Sequence, residues 1–194
     1  MGIAAALVIY VLPLGDGLPA ADVEAVRAAL VDFYAADVRV MKRVPLPASA
    51  YTKERKRWRA EKLLTFLDGK IPADGARILG LTSTDISTTK DRYADWGVLG
   101  LGEQPGRATV ISSFRCRRKA RSAAHARERL AKVAVHELGH SFGLDHCPTA
   151  GCLMRDAEGR VATVDDEHDL CPRCRAALAA AGHALPAVRR FDAR

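Results

Sequence analysis

At 194 residues and 21.0 kDa, with 48% hydrophobic and 27% charged residues, the chain can bury a real core in one domain. This is ordinary globular composition, which excludes a fibrous or wholly disordered polypeptide. Thirty Lys plus Arg against twenty-three Asp plus Glu give a net charge of +7, which suits nucleic acid or acidic partners and equally suits simple solubility.

Residues 3–12 form an apolar run. No basic residue precedes it and it is far too short to span a bilayer, so neither a signal peptide nor a membrane span is expected, and the run reads as a buried first strand ended by Pro13 and Gly15. Val23, Val26, Leu30 and Phe33 then recur at helical spacing through about residue 35, and residues 38–44 make a second strand. Strand, helix, strand predicts a parallel crossover. Pro45-Leu46-Pro47 is a stiff break, after which residues 52–67 read as a basic helix with Trp58, Leu63 and Phe66 or Leu67 inward. Its outer face would carry Lys53, Arg55, Lys56, Arg57 and Arg59; residues 115–121 hold a second basic cluster. No recognised nucleic-acid module accompanies either, so both are read as solvated faces.

Asp68-Gly69 and residues 72–75 are turn punctuation, and residues 76–81 predict a third strand. The polar run 82–91 reads as an exposed loop. Residues 96–102, Trp-Gly-Val-Leu-Gly-Leu-Gly, are apolar but interrupted by glycines that let another backbone approach closely, and residues 108–114 predict a further strand. Cys116, beside Arg115, Arg117 and Arg118, has charges that could lower its thiol pKa, but an ordinary free thiol at a strand end is the simpler reading.

The informative stretch is His136-Glu137-Leu138-Gly139-His140-Ser141-Phe142-Gly143-Leu144-Asp145-His146. On a helix His136 and His140 lie one turn apart on one face, with Glu137 roughly 100° further round. Ala131, Val135, Leu138 and Phe142 make the opposite, core-facing stripe. Gly143 can take φ > 0 and turn the chain, so that His146 returns to the same metal and leaves a fourth position for water. Cys147, Cys152, Cys171 and Cys174 follow as two pairs with metal-ligand spacing, which favours a four-cysteine zinc site in a reducing compartment over disulfides. The acidic residues Asp165, Asp166, Glu167 and Asp169 read as the charged first turn of a short helix, with Thr163 as its cap. Residues 175–181 predict a helix stopped by Gly182. His125, His168 and His183 lie outside every motif and are read as surface or structural.

The helix motif, followed by C-x-x-x-x-C-x-M and a later C-x-x-C, resembles the archaemetzincin family of metalloproteases. Sixteen residues separate Met154 from Cys171, about one fewer than the family pattern, a difference that a surface loop absorbs. The resemblance implies an α/β (α+β) metzincin-like domain over residues 1–194. Residues 1–135 would form a mixed twisted sheet with an antiparallel edge strand and packed helices, and 136–194 the zinc-binding helix, Met-turn and zinc-stapled C-terminal segment. It implies two zinc ions per chain: a catalytic one on His136, His140 and His146 with Glu137 as general base, and a structural one on the four cysteines. Met154 would be the Met-turn residue, and Trp96, Gly97, Val98, Leu99 and Gly100 the edge strand that holds a peptide or protein substrate. No Tyr follows Met154 to join the metal shell. A monomeric, cytoplasmic peptidase without nucleic-acid or membrane partners is expected, and no cysteine-bearing propeptide to inhibit it. The alternative is a zinc-containing peptide-binding or regulatory protein with little turnover.

Overall fold

Val8–Leu14 forms β1, an inner strand of a largely parallel sheet, and it is apolar at nearly every position because both of its faces are covered. Ile9 and Val11 point to one side, against α1 (Ala20–Tyr34); Leu12 and Leu14 point to the other, which α2 (Ala60–Asp68) covers. The computed structural model describes residues 7–183, 185 and 191; most of the expected first strand before residue 8 lies outside them. Pro13 sits inside β1 rather than ending it. Its carbonyl accepts from Val44 N, so its missing N–H falls on the flank where β2 (Asp37–Val40) has already left the sheet.

The parallel crossover is present: β1 pairs with β2 in parallel through α1, and also with β5 (Arg77–Thr82). With β9 (Ala108–Ser112) parallel to β5 and β8 (Gly100–Gly102) antiparallel to β9, the first sheet runs β2-β1-β5-β9-β8. Its antiparallel edge is β8. A second sheet, β3-β4-β6-β7, comprises β3 (Tyr51–Thr52), β4 (Arg57–Arg59), β6 (Ile86–Lys90) and β7 (Tyr93–Val98).

That second sheet corrects three expectations. Only Ala60–Asp68 of the basic stretch is helical; residues 51–59 form a hairpin closed by Tyr51 and Trp58, whose ring centroids are 5.1 Å apart. Arg57 bonds Asp85 at 2.9 Å and Asp95 at 3.1 Å, and Arg115 bonds Asp85 at 2.7 Å, so distant carboxylates rather than helix propensity set this conformation. The supposed loop at 82–91 contains β6, with Ile86 and Ser87 buried. The single apolar stretch 96–102 breaks at Leu99 into the ends of two strands in different sheets.

After β9, a short helix α3 (Ser113–Cys116) leads to α4 (Ala123–Ser141), which starts on a Ser122 side-chain cap and packs Ala131, Val135, Leu138 and Phe142 into the core. Tyr34 Oη donates to Val135 O at 2.8 Å and fixes α1 against it. Cys116 is fully buried; burial outweighs Arg129 and Arg117 and pushes its pKa up to about 12, the reverse of activation. α5 (Pro172–Ala180) closes the described chain, with Gly182 at φ +87° beyond it.

Thr163 caps nothing: Val161–Asp166 is a 3-10 stretch with Thr163 inside it. Asp165 instead accepts two bonds of 2.7 Å from Arg129 and a third, also 2.7 Å, from His125 Nε2, whose Nδ1 accepts from Arg121 N. His125 is therefore structural. The bonds from Arg129 and then His125 hold the Asp165 pKa down to about 2 against an ordinary 3.8. A depressed carboxylate stabilises the fold above its unfolded pKa and stops doing so as pH falls through the folded one, so this contribution is lost between about pH 4 and pH 2. Discounted for partial exposure, about 1–2 kcal/mol is at stake. Acid unfolding followed by circular dichroism should show Asp165→Asn weaker than wild type at pH 6, with the two converging near pH 2.

Candidate metal centres and active-site cleft

His136 and His140 are presented from the last turns of α4, with ring centroids 4.7 Å apart. Gly143 takes φ +94° just past the helix, and the chain turns back so that the His146 ring lies 4.8 Å from His140 and 5.5 Å from His136. One nitrogen from each of the three gathers within 4.8 Å of the others. His146 is the exposed member, and its Nδ1 is 3.6 Å from Asp156, a partner the sequence did not single out.

Two backbone carbonyls decide the protonation of this cluster. His136 Nδ1 lies 2.6 Å from Leu153 O and His140 Nδ1 lies 2.7 Å from Leu144 O, and since a carbonyl only accepts, both Nδ1 atoms carry hydrogen and donate it. Burial, and then the neighbouring imidazoles, push the His136 pKa down to about 3 and lower that of His140 as well, so both rings are neutral. Their Nε2 lone pairs therefore face each other at 3.0 Å with no proton between them. That arrangement is repulsive alone and satisfied by a cation. Two neutral imidazoles with a third, His146, beside them fit zinc.

The second cluster passes a geometric test. Cys147 Sγ is 3.6 Å from Cys171 Sγ and Cys152 Sγ is 3.8 Å from Cys174 Sγ, with all four sulfurs within 4.8 Å and all four free thiols. A tetrahedron of Zn–S bonds near 2.3 Å has an edge of about 3.8 Å, whereas a disulfide is about 2.05 Å. The sulfurs are spaced for a shared ion.

One strip joins the two clusters. Cys152 supplies a sulfur to the second, Leu153 O orients His136 in the first, and Met154 is fully buried beneath α4, where a Cβ on Gly139 would come within 2.5 Å of its Sδ. Cys147 N also donates to Met154 O at 2.8 Å.

Glu137 stands beside the histidines, buried at 7% exposure, against β8. A Cβ at Gly100 would lie 2.5 Å from Glu137 Cγ, and one at Gly102 would lie 2.5 Å from its carbonyl, so the strand glycines admit the helix itself. Burial pushes the Glu137 pKa up to about 8, opposed by the Gly102 backbone N–H directed at its carboxylate. The three histidines and Glu137 open onto a cleft of about 320 Å³. Trp96, Val98, Leu99 and Gly100 line it, but Gly97 does not: it faces away, with the Arg115 guanidinium lying on the space a side chain would take. Glu167 also lines the cleft, hidden from a sequence reading inside the acidic run.

The sequence model of Peptidase family M54 matches residues 23–180. The chain is 33% identical over 181 residues to the archaemetzincin of Haloquadratum walsbyi, covering 89% of this chain and 99% of that one. Its structure is similar to the crystal structure of archaemetzincin from Methanopyrus kandleri, with a TM-score of 0.79, 30% identity and coverage of 92% and 96%. It is similar also to that of the Archaeoglobus fulgidus archaemetzincin complexed with malonate, with a TM-score of 0.75, 28% identity and coverage of 88% and 99%. A match over most of the chain in sequence, and over most of the fold in space, reaches well beyond the histidine motif. The chain belongs to Peptidase family M54, the archaemetzincins, and is a zinc-dependent metallopeptidase.

Proposed function

We propose that His136, His140 and His146 hold the catalytic zinc, that Glu137 is the general acid–base, and that Cys147, Cys152, Cys171 and Cys174 hold a second, structural zinc. Residues 1–194 act as a single, monomeric catalytic domain in the cytoplasm. No helix among the described residues is long and apolar enough to cross a membrane. The carrying observation is the pair of unprotonated Nε2 atoms facing each other at 3.0 Å beside a buried glutamate.

His136, His140 and His146 would hold the zinc, which would supply Lewis acidity to polarise a carbonyl and lower the pKa of water. Glu137, its ionised form favoured against burial by the charge of a bound zinc, would take a proton from the attacking water onto its carboxylate and deliver it to the leaving amine nitrogen. The Gly102 N–H fixes the carboxylate's orientation, and Leu153 O and Leu144 O fix those of the imidazoles. The substrate lies along the β7–β8 rim of the cleft, with Trp96, Val98, Leu99 and Gly100 against it. Gly97 supports this rim from behind through Arg115.

Metal content by mass spectrometry, paired with cleavage of a peptide library, tests this reading. Two zinc per chain and cleavage are expected; two zinc without cleavage across a broad library would turn the reading to a peptide-binding protein. Gly100→Ala is a sharper probe, because its methyl group would press on Glu137 Cγ from 2.5 Å and displace the carboxylate while leaving the zinc ligands alone. A misplacement of about 1 Å lowers turnover roughly 10²-fold, so kcat should fall by that order with zinc content unchanged.

A further inference from the structure

Besides the three histidines and Glu137, the cleft is lined by Val133, one turn before Glu137 on α4, and by Val164, Glu167 and Arg155. Glu167 is only 2% exposed, and its Oε1 is buried with no hydrogen-bond partner. Buried polar atoms in folded proteins are nearly always bonded, so an orphaned carboxylate oxygen on a residue that lines the cleft marks a place where a donor is missing. Burial pushes the Glu167 pKa up to about 8, opposed through space by Lys132 and Arg155, with Asp166 adding like charge. Lys132 is committed elsewhere, donating to Val164 O at 3.2 Å and pairing with Glu128 at 3.1 Å.

Resting on the peptidase reading above, we propose that Glu167 makes this part of the cleft a specificity pocket for a basic substrate side chain, a lysine or arginine beside the scissile bond. Such a side chain brings donors and the opposite charge to a carboxylate whose Oε1 has no partner, a small rotation of the Glu167 carboxylate turning Oε1 toward it, and lays its methylene stem between Val133 and Val164. An aliphatic side chain would leave Oε1 unbonded, and an acidic one would set like charge against it. Arg155 on the same wall is the competing cue, and it would favour an acidic substrate instead.

The test uses the zinc-loaded protein and two pairs of peptide hydroxamates, one pair extending to each side of the chelating group, the members of a pair differing only in lysine against norleucine. Affinities are read by calorimetry, without turnover. In one pair the lysine compound should bind wild type at least about tenfold tighter. In Glu167→Gln, which keeps the size of the side chain, that ratio should fall to within about twofold of one, with norleucine binding unchanged. A ratio at or below one in both pairs, or a ratio that survives Glu167→Gln, would overturn the assignment of the pocket while leaving the peptidase intact. Failure of all four compounds to bind would overturn the peptidase reading, and this one with it.

Discussion

Glu137→Gln should lower kcat/KM for peptide cleavage by roughly 10²- to 10⁴-fold while leaving zinc content and melting temperature where they were. Gln has the volume of Glu, so the close fit against Gly100 and Gly102 is kept, and its amide oxygen still accepts the Gly102 N–H. It cannot take a proton near neutral pH. Stability should not fall, because the carboxylate is buried and its charged form disfavoured; a neutral amide removes that penalty. Circular dichroism melts and metal analysis alongside the cleavage assay separate a lost proton acceptor from a lost fold. Cleavage at more than about a tenth of the wild-type rate would remove Glu137 from its assigned role.

The two side-chain clusters were legible in the sequence because they depend on residue types at short fixed spacings. His136 and His140 share a face through helix geometry alone, Gly143 announces the turn, and the spacing of the cysteine pairs announces their cluster. Legibility failed where partners far along the chain decide. Arg57 and Arg59 read as the outer face of a helix, yet Asp85 and Asp95 draw Arg57 into a hairpin, and Arg59 reaches Glu61 and Thr89. Nothing local marks Leu99 as the point where the chain leaves one sheet for another. The glycines of 96–102 were read as admitting another backbone, which holds at Gly102, where the Glu137 carbonyl approaches, but what approaches Gly100 is the Glu137 side chain, and what fills the space beside Gly97 is the Arg115 side chain. Glu167 is the clearest case. Inside Asp-Asp-Glu-His-Asp it looks solvated, and only the packing of the 3-10 stretch against α4 buries it on the cleft wall.

Cys171→Ser should lose close to one zinc per chain and lower the melting temperature by more than about 10 °C, and it should also reduce peptide cleavage although Cys171 is not among the histidine ligands. A four-cysteine ion contributes an apparent ~10–16 kcal/mol in zinc-finger peptides, comparable with the whole stability of a domain at about 5–15 kcal/mol. Loss of even about 4 kcal/mol shifts the midpoint of a chain this long by roughly 8–16 °C. The effect reaches the active site through the strip 152–154. With the ion gone, the strip is held by backbone bonds such as Leu153 N to Asp169 O and Cys147 N to Met154 O, both 2.8 Å, and it carries the carbonyl that orients His136 and the Met154 side chain under Gly139. His146 is adjacent to Cys147 and loses its anchor on the other side of the same ion. Cys116→Ser is the matched control, removing a buried thiol outside both clusters. It should keep both zinc ions and most of the activity. A Cys171→Ser protein that retained two zinc ions and full cleavage would separate the two centres and leave the cysteine cluster without the structural role assigned to it.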